Sequence, residues 1–168
     1  KFNEESEHRV FNFLRDVFLP VFRDEMSEAI NAGVNVYIDQ DDPGTVKLRY
    51  PRSFEYPSIL QEIRLEIGAL AAWTPTQFAE IQSYAAECYP QVFTQPTTII
   101  LTTTAERTFW EKATILHQEA YRPKGSKLPN RYSRHYYDLY CMAHKGILEK
   151  AIQQPDLLVR VSEFKQKF

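Results

Sequence analysis

Few features of this chain mark it at once for a special environment. It has only two cysteines, Cys88 and Cys141, and neither belongs to a CxxC pair. That argues against a disulfide framework and for a reducing, cytoplasmic setting. No apolar run approaches the roughly 20 residues that a membrane-crossing helix needs. The first nine residues are mostly polar and charged, which does not read as a signal peptide. Charge of either sign is not in excess: 20 Lys and Arg face 22 Asp and Glu, a formal net charge of −2. No global electrostatic drive toward nucleic acid or anionic membrane follows from that, so any such contact must come from a local basic patch. Internal repeats and low-complexity segments are absent as well.

What is present suits an ordinary globular core. Of 168 residues, 43% are hydrophobic and 25% charged, and eleven Phe, ten Tyr and two Trp supply large side chains. Steps of three and four through Val10, Phe11, Leu14, Val17, Phe18, Val21 and Phe22 predict an amphipathic helix from Glu4 to Ala32, broken or kinked at Pro20 and stopped by Gly33. Two alternating runs, 34–38 and 45–50, joined by Asp39-Gln40-Asp41-Asp42-Pro43-Gly44, predict a β-hairpin with a longer loop. A third strand is expected at 62–67 and ends at Gly68. Pro75 opens a predicted helical stretch through Tyr89, and Thr97–Leu101 reads as another strand. Thr103-Thr104-Ala105-Glu106 has the form of a capping box and opens a helix to Tyr121. A loop rich in Lys, Pro and Gly runs from Arg122 to Asn130. A helix at 133–144 stops at Gly146, and a last amphipathic helix closes the chain. This order predicts an α+β fold, a small mixed or antiparallel sheet packed with a C-terminal helical bundle. Residues 1–102 would supply the first helix and the sheet, and 103–168 the helices, as one compact unit.

Several residue sets could carry chemistry. Asp39, Asp41 and Asp42 resemble a metal cluster, but Asp, Pro and Gly are also what a turn between strands requires, and the turn is the preferred reading. In 63–67, alternation puts Ile63, Leu65 and Ile67 on one face and Arg64 and Glu66 on the other, so Glu66 is either a Mg²⁺ ligand or a solvated surface charge. On the capped helix, Phe109, Ala113, Leu116 and Ala120 form the expected buried stripe. Lys112 borders it and could carry its ammonium to a site, or simply snorkel. Arg107 and Glu111 stand one turn apart and can pair. His117 and Trp110 read as packing residues. Arg131, Arg134 and Asp138 would share a face if the next helix reaches back that far. Two guanidiniums beside one carboxylate leave positive charge suited to phosphate oxygens, and a structural Arg–Asp network is the rival. Tyr136, Tyr137 and Tyr140 read as packing rather than base-stacking residues.

The segments Arg107-Thr108-Phe109-Trp110-Glu111-Lys112-Ala113 and Arg131-Tyr132-Ser133-Arg134-His135-Tyr136-Tyr137-Asp138-Leu139-Tyr140 resemble the third and fourth motifs of the AbiEii/AbiGii toxin-like nucleotidyltransferases. Ile63-Arg64-Leu65-Glu66-Ile67-Gly68 is similar to that family's acidic strand. The resemblance covers nearly the whole chain from Val34 onward. It implies a polymerase-beta-like nucleotidyltransferase core, and many of these bacterial proteins are toxins of toxin–antitoxin or phage-defence systems. On this resemblance Lys112 binds the triphosphate of an NTP and Asp138 is the acid needed for transfer. Glu66 is a metal-site carboxylate for Mg²⁺, and Arg131, Arg134 and Arg107 support the phosphates. The implied partners are an NTP, an RNA (tRNA) or protein acceptor, and an antitoxin protein, with no membrane. The family's Gly-Gly/Ser motif and DxD strand are not found, so the chain is expected to be the C-terminal portion of the enzyme and inactive alone. A non-catalytic RNA- or protein-binding module using the basic 122–134 loop is the alternative.

Overall fold

The computed structural model describes residues 4–30, 33–68, 74–127 and 132–166. The chain divides into two compact units, 1–71 and 72–168. It is α+β, with one antiparallel sheet in each unit rather than a single sheet.

The first unit opens with helix α1 (Glu4–Phe13), a π-helical turn (Leu14–Phe18) and helix α2 (Leu19–Ala29). Pro20 therefore does not break the helix. It enters in the first turn of α2, and the turn before it widens so that the Leu19 N–H reaches the Leu14 carbonyl. A wider turn carries one extra residue and swings the following face round by about 100°. That shift explains why the expected stripe is not what is buried. Phe11, Val17, Phe18 and Val21 are exposed, while Leu19, Phe22, Met26 and Ile30 pack on the sheet.

The sheet comprises β1 (Asn35–Ile38), β2 (Thr45–Arg49) and β3 (Glu62–Glu66), all antiparallel with β2 in the centre. The register sets Val36 against Leu48, Ile38 against Val46, and Val46 against Leu65. Because strand side chains alternate, these residues share the face that meets α2. Val46, Leu48, Val36 and Leu19 are its buried centre. Ile63, expected on the buried face, is 54% exposed at the rim. The opposite face carries Tyr37, Lys47, Glu62 and Arg64. Here Lys47 Nζ lies 2.6 Å from Asp39 and 3.6 Å from Glu62, and Arg64 3.6 Å from Asp39.

The hairpin loop is a turn, as its composition predicts. The Asp41 N–H donates to the Asp39 carboxylate, Thr45 Oγ1 donates to Asp42 Oδ2 at 2.7 Å, and the Gly44 carbonyl receives the Ile67 N–H. The Asp39 and Asp42 carboxylates are spent on local bonds and on Lys47 and Arg64. Among the described residues no group of three potential metal ligands gathers anywhere.

In the second unit, residues expected to be helical from Pro75 instead form strand β4 (Thr76–Gln82). Phe78 and Ile81 mimic a helical spacing, but all seven residues pair antiparallel with β5 (Thr97–Thr103), whose β-branched run supplies the ladder. Only α3 (Tyr84–Cys88) is helical, capped by the Ser83 hydroxyl. Then come α4 (Ala105–Ala120), α5 (Ser133–His144), α6 (Ile147–Ile152) and α7 (Pro155–Lys165). The cap of α4 is Thr104, one residue later than expected, because Thr103 is still the end of β5. The expected single closing helix is two, since Pro155 starts α7 afresh. Gly146 takes the left-handed conformation, φ 76°, that the stop after α5 demands.

Leu19 is 1% exposed at the centre of the first unit's core. Leu19→Ala should cost about 2–5 kcal/mol, the usual range for such a cavity, measured by denaturant unfolding. Val21→Ala, on the exposed face two residues on, should stay within about 0.5 kcal/mol.

Candidate functional site

Helix α4 is the element on which the charged cluster is built. Its start is fastened to the strand end, where the Thr104 N–H donates to the Pro75 carbonyl and Arg107 Nη1 to the Thr74 carbonyl at 2.6 Å. Its middle is fastened to α6 by Trp110 Nε1, which donates to the Ala151 carbonyl at 3.2 Å. On α7, Lys165 Nζ donates to the Glu111 carbonyl at 3.0 Å. Helix α5 packs beside α4 as well.

Across that helix pair Lys112 Nζ donates to Asp138 Oδ2 at 2.7 Å. The two side chains are 22% and 37% exposed, so the pair stands at the surface with the Lys112 stem against protein. The hydrogen bond from Lys112 holds the Asp138 carboxyl below its ordinary range against the opposing effect of burial, and the charges of Lys112, His135 and Arg134 add to it.

One turn before Asp138, on the same helix, lies His135, 8% exposed and with its edge toward the Tyr132 ring at 5.2 Å. Its Nδ1 is buried and has no hydrogen-bond partner. Burial lowers its pKa, the charges of Lys112, Arg134 and Lys165 push the same way, and Asp138 opposes them. Three cations against one carboxylate thus act on this spot. Lys165 is itself lowered by burial, with Glu111 opposing.

Arg107 is 3% exposed, and its Nε donates to Glu111 at 2.9 Å, as the i, i+4 spacing suggested. Its Nη2 is buried without a partner. The expected tether of Asp138 to an arginine does not form. Arg134 is exposed in the first turn of α5, and the carboxylate is taken by Lys112 from the neighbouring helix instead. Arg131 lies outside the described residues. Glu66 ends β3 in the first unit and is exposed. Tyr136, Tyr137 and Tyr140 are not packing residues, being 63%, 68% and 61% exposed, with Tyr140 lying 4.0 Å from the His144 ring. Ala120 and His117 are exposed too, and His117 leans on Tyr121 at 4.7 Å. In the basic loop, Arg122 is committed to Glu119 at 2.5 Å and to the Lys127 carbonyl at 2.7 Å.

Sequence reasoning missed His135 and Lys165. His135 carried a signal, since it stands at i−3 from Asp138 within the same motif. Lys165 carried none, because only the packing of α7 on α4 brings it to Glu111.

A buried neutral histidine makes stability depend on pH. Its folded pKa lies below the ordinary 6.5, so between those two values the unfolded chain holds a proton that the folded chain does not. Stability therefore falls as pH drops from 7 through that window. His135→Gln, which cannot titrate there, should flatten this part of a pH series of urea melts; an unchanged slope would count against a buried neutral ring.

A model of the family described as nucleotidyl transferase AbiEii toxin, type IV toxin–antitoxin system, matches residues 2–167. Comparisons with curated proteins and with solved structures gave no significant match. A match over essentially its whole length, on a chain whose two helix motifs meet at Lys112 and Asp138, places it: the chain belongs to the AbiEii nucleotidyltransferase toxin family of type IV toxin–antitoxin systems.

Proposed function

We propose that the Lys112–Asp138 pair is the nucleotide-handling part of a centre that transfers a nucleotide from an NTP to an acceptor, an RNA such as a tRNA or a protein, as a toxin with an antitoxin counterpart. The observation that carries this reading is the 2.7 Å meeting of Lys112 and Asp138 from two separate sequence motifs. Its electrostatic setting supports it, because Lys112, Arg134 and Lys165 outnumber Asp138 around His135. Such a surplus suits a polyanion, and an exposed Arg134 offers a guanidinium fork to phosphate oxygens. Arg107 holds Glu111 and the Thr74 carbonyl and so anchors the start of α4.

The bound NTP would compete with Asp138 for the Lys112 ammonium. Lys112 then turns to the triphosphate, and the released Asp138 carboxylate is free to accept a proton or orient the acceptor. Mg²⁺ is the ion such transfers call on to neutralise phosphate charge. The described residues do not by themselves suit it, since no three ligands gather and Asp138 already holds an ammonium. No step is assigned to the ion here. Glu66 ends β3 in the first unit as an exposed carboxylate, and the chain is proposed to hold the nucleotide through Lys112.

Binding of ATP and the other NTPs, followed by calorimetry, tests this. Lys112→Ala should weaken binding roughly ten- to hundred-fold, the worth of a hydrogen bond to a charged group, with melting nearly unchanged. Asp138→Asn should bind NTP as well as the parent or better, because the competitor for Lys112 loses its charge. Its stability should fall by no more than about 1 kcal/mol. Unchanged NTP affinity in Lys112→Ala together with a large drop in melting temperature would make Lys112 a packing residue. Robust incorporation of labelled nucleotide by the 168-residue chain would show that it assembles a metal site after all.

A further inference from the structure

A second concentration of positive charge lies in the first unit, where strand β2 ends. Strand β2 ends at Arg49, Pro51 prevents its ladder from continuing, and the segment 50–61 folds back toward the start of β3. Tyr50 Oη donates to the Leu60 carbonyl at 3.1 Å and closes that fold. The space left is a cleft of about 630 Å³ lined by Arg49, Tyr50, Arg52, Ile59, Leu60 and Glu62 among others. Ligand clefts commonly fall between about 300 and 1,000 Å³.

The cleft carries two arginines to one acid, Glu62, which stands opposite Arg49 in the register. Arg15, Arg23 and Arg64 each have a carboxylate within 4 Å, whereas neither Arg49 nor Arg52 has one among the described residues. Glu62 is the acid on the cleft wall, but it already receives the Tyr37 hydroxyl at 3.2 Å and faces Lys47 at 3.6 Å. Beside the two free guanidiniums lie a tyrosine and two exposed aliphatic side chains, Ile59 and Leu60, the latter 71% exposed. Cations alone would suit any anion. Cations beside apolar and aromatic surface suit a ligand that alternates phosphate with flat, weakly polar rings.

We infer that this cleft binds single-stranded nucleic acid, Arg49 and Arg52 taking backbone phosphates while Tyr50, Ile59 and Leu60 receive bases. An acidic peptide would use the arginines but leave the apolar wall uncovered, and a free phosphate would use neither the wall nor the second arginine. Recognition of this kind reads the strand and not its sequence. The inference goes beyond the transfer reading and does not need Lys112 or Asp138.

The test is fluorescence anisotropy of the full chain with a labelled single-stranded RNA 12-mer over a series of salt concentrations. Arg49→Gln with Arg52→Gln should weaken binding at least ten-fold. It should also flatten the slope of log affinity against log salt by about 1.4, at about 0.7 per phosphate lost. Arg15→Gln, with its guanidinium on Asp16, should change neither. Arg49→Lys with Arg52→Lys keeps the charge and should keep the slope, which guards against a folding defect in the glutamine pair. Polyglutamate and inorganic phosphate should fail to displace the oligonucleotide. Equal binding and slope in the glutamine pair, no binding by the parent, or displacement by polyglutamate as readily as by unlabelled RNA would each overturn the inference. Calorimetry with ATP separates the two readings, since a parent chain that binds the 12-mer but no NTP faults the transfer proposal alone.

Discussion

The placement of α4 is the constraint on which the second unit depends. This helix meets α5, α6 and α7, and each fastening is a hydrogen bond or packing contact to its backbone or to a side chain at a fixed turn. Fixing both the strand end at Thr104 and the α6 carbonyl at Ala151 leaves α4 little freedom to rotate or slide. The turn carrying Lys112 therefore faces α5 rather than solvent alone. The ion pair with Asp138 is a consequence of that placement and contributes little to it, because a pair this exposed is screened and entropically costly. On the proposed reading, stability and function are carried by different groups on one helix. Phe109, Trp110 and Arg107 hold it, and Lys112 is left with a partner it can exchange.

Such exchange makes sense of an otherwise awkward arrangement. An ammonium with no partner in this cationic neighbourhood would be repelled by Arg134 and Lys165, and one held by a buried carboxylate would not be released. A half-exposed Asp138 avoids both. His135 fits the same logic. Burial and the charges of Lys112, Arg134 and Lys165 lower the His135 pKa, so on the proposed reading the ring does not add a further cation beside the triphosphate.

The sequence made the long-period features legible and the tertiary ones not. The hairpin at 35–49, the strand at 62–66 and the helices α4 and α5 follow from local pattern and turn chemistry. Strand β4 did not, because Phe78 and Ile81 obey a helical step and only the partner strand, twenty residues on, decides otherwise. The first helix misled in a subtler way. Its period was right, but a single widened turn ahead of Pro20 moved the buried face from Phe18 to Leu19. At the site, Lys112 and Asp138 were legible as charged positions on helix faces and through family resemblance, and their meeting was not. Sequence spacing offers Asp138 only partners on its own helix, and so it favoured Arg134 over a lysine 26 residues away.

Both units treat positive charge selectively, and that selectivity is what distinguishes a site from a solvated surface. The chain as a whole is slightly acidic, with a formal net charge of −2, so its cations could all have been neutralised. On the polar face of the first sheet two of them are: Lys47 and Arg64 share Asp39, and Lys47 also meets Glu62. Arg122 is similarly absorbed by Glu119 in the loop after α4. Among the described residues Arg49 and Arg52 at the cleft, and Arg134 beside the Lys112–Asp138 pair, form no ion pair within 4 Å. Attraction over a Debye length of about 8 Å responds to this local balance and not to the total. On the two proposals, an overall acidic protein presents two local cationic surfaces to phosphate-bearing ligands.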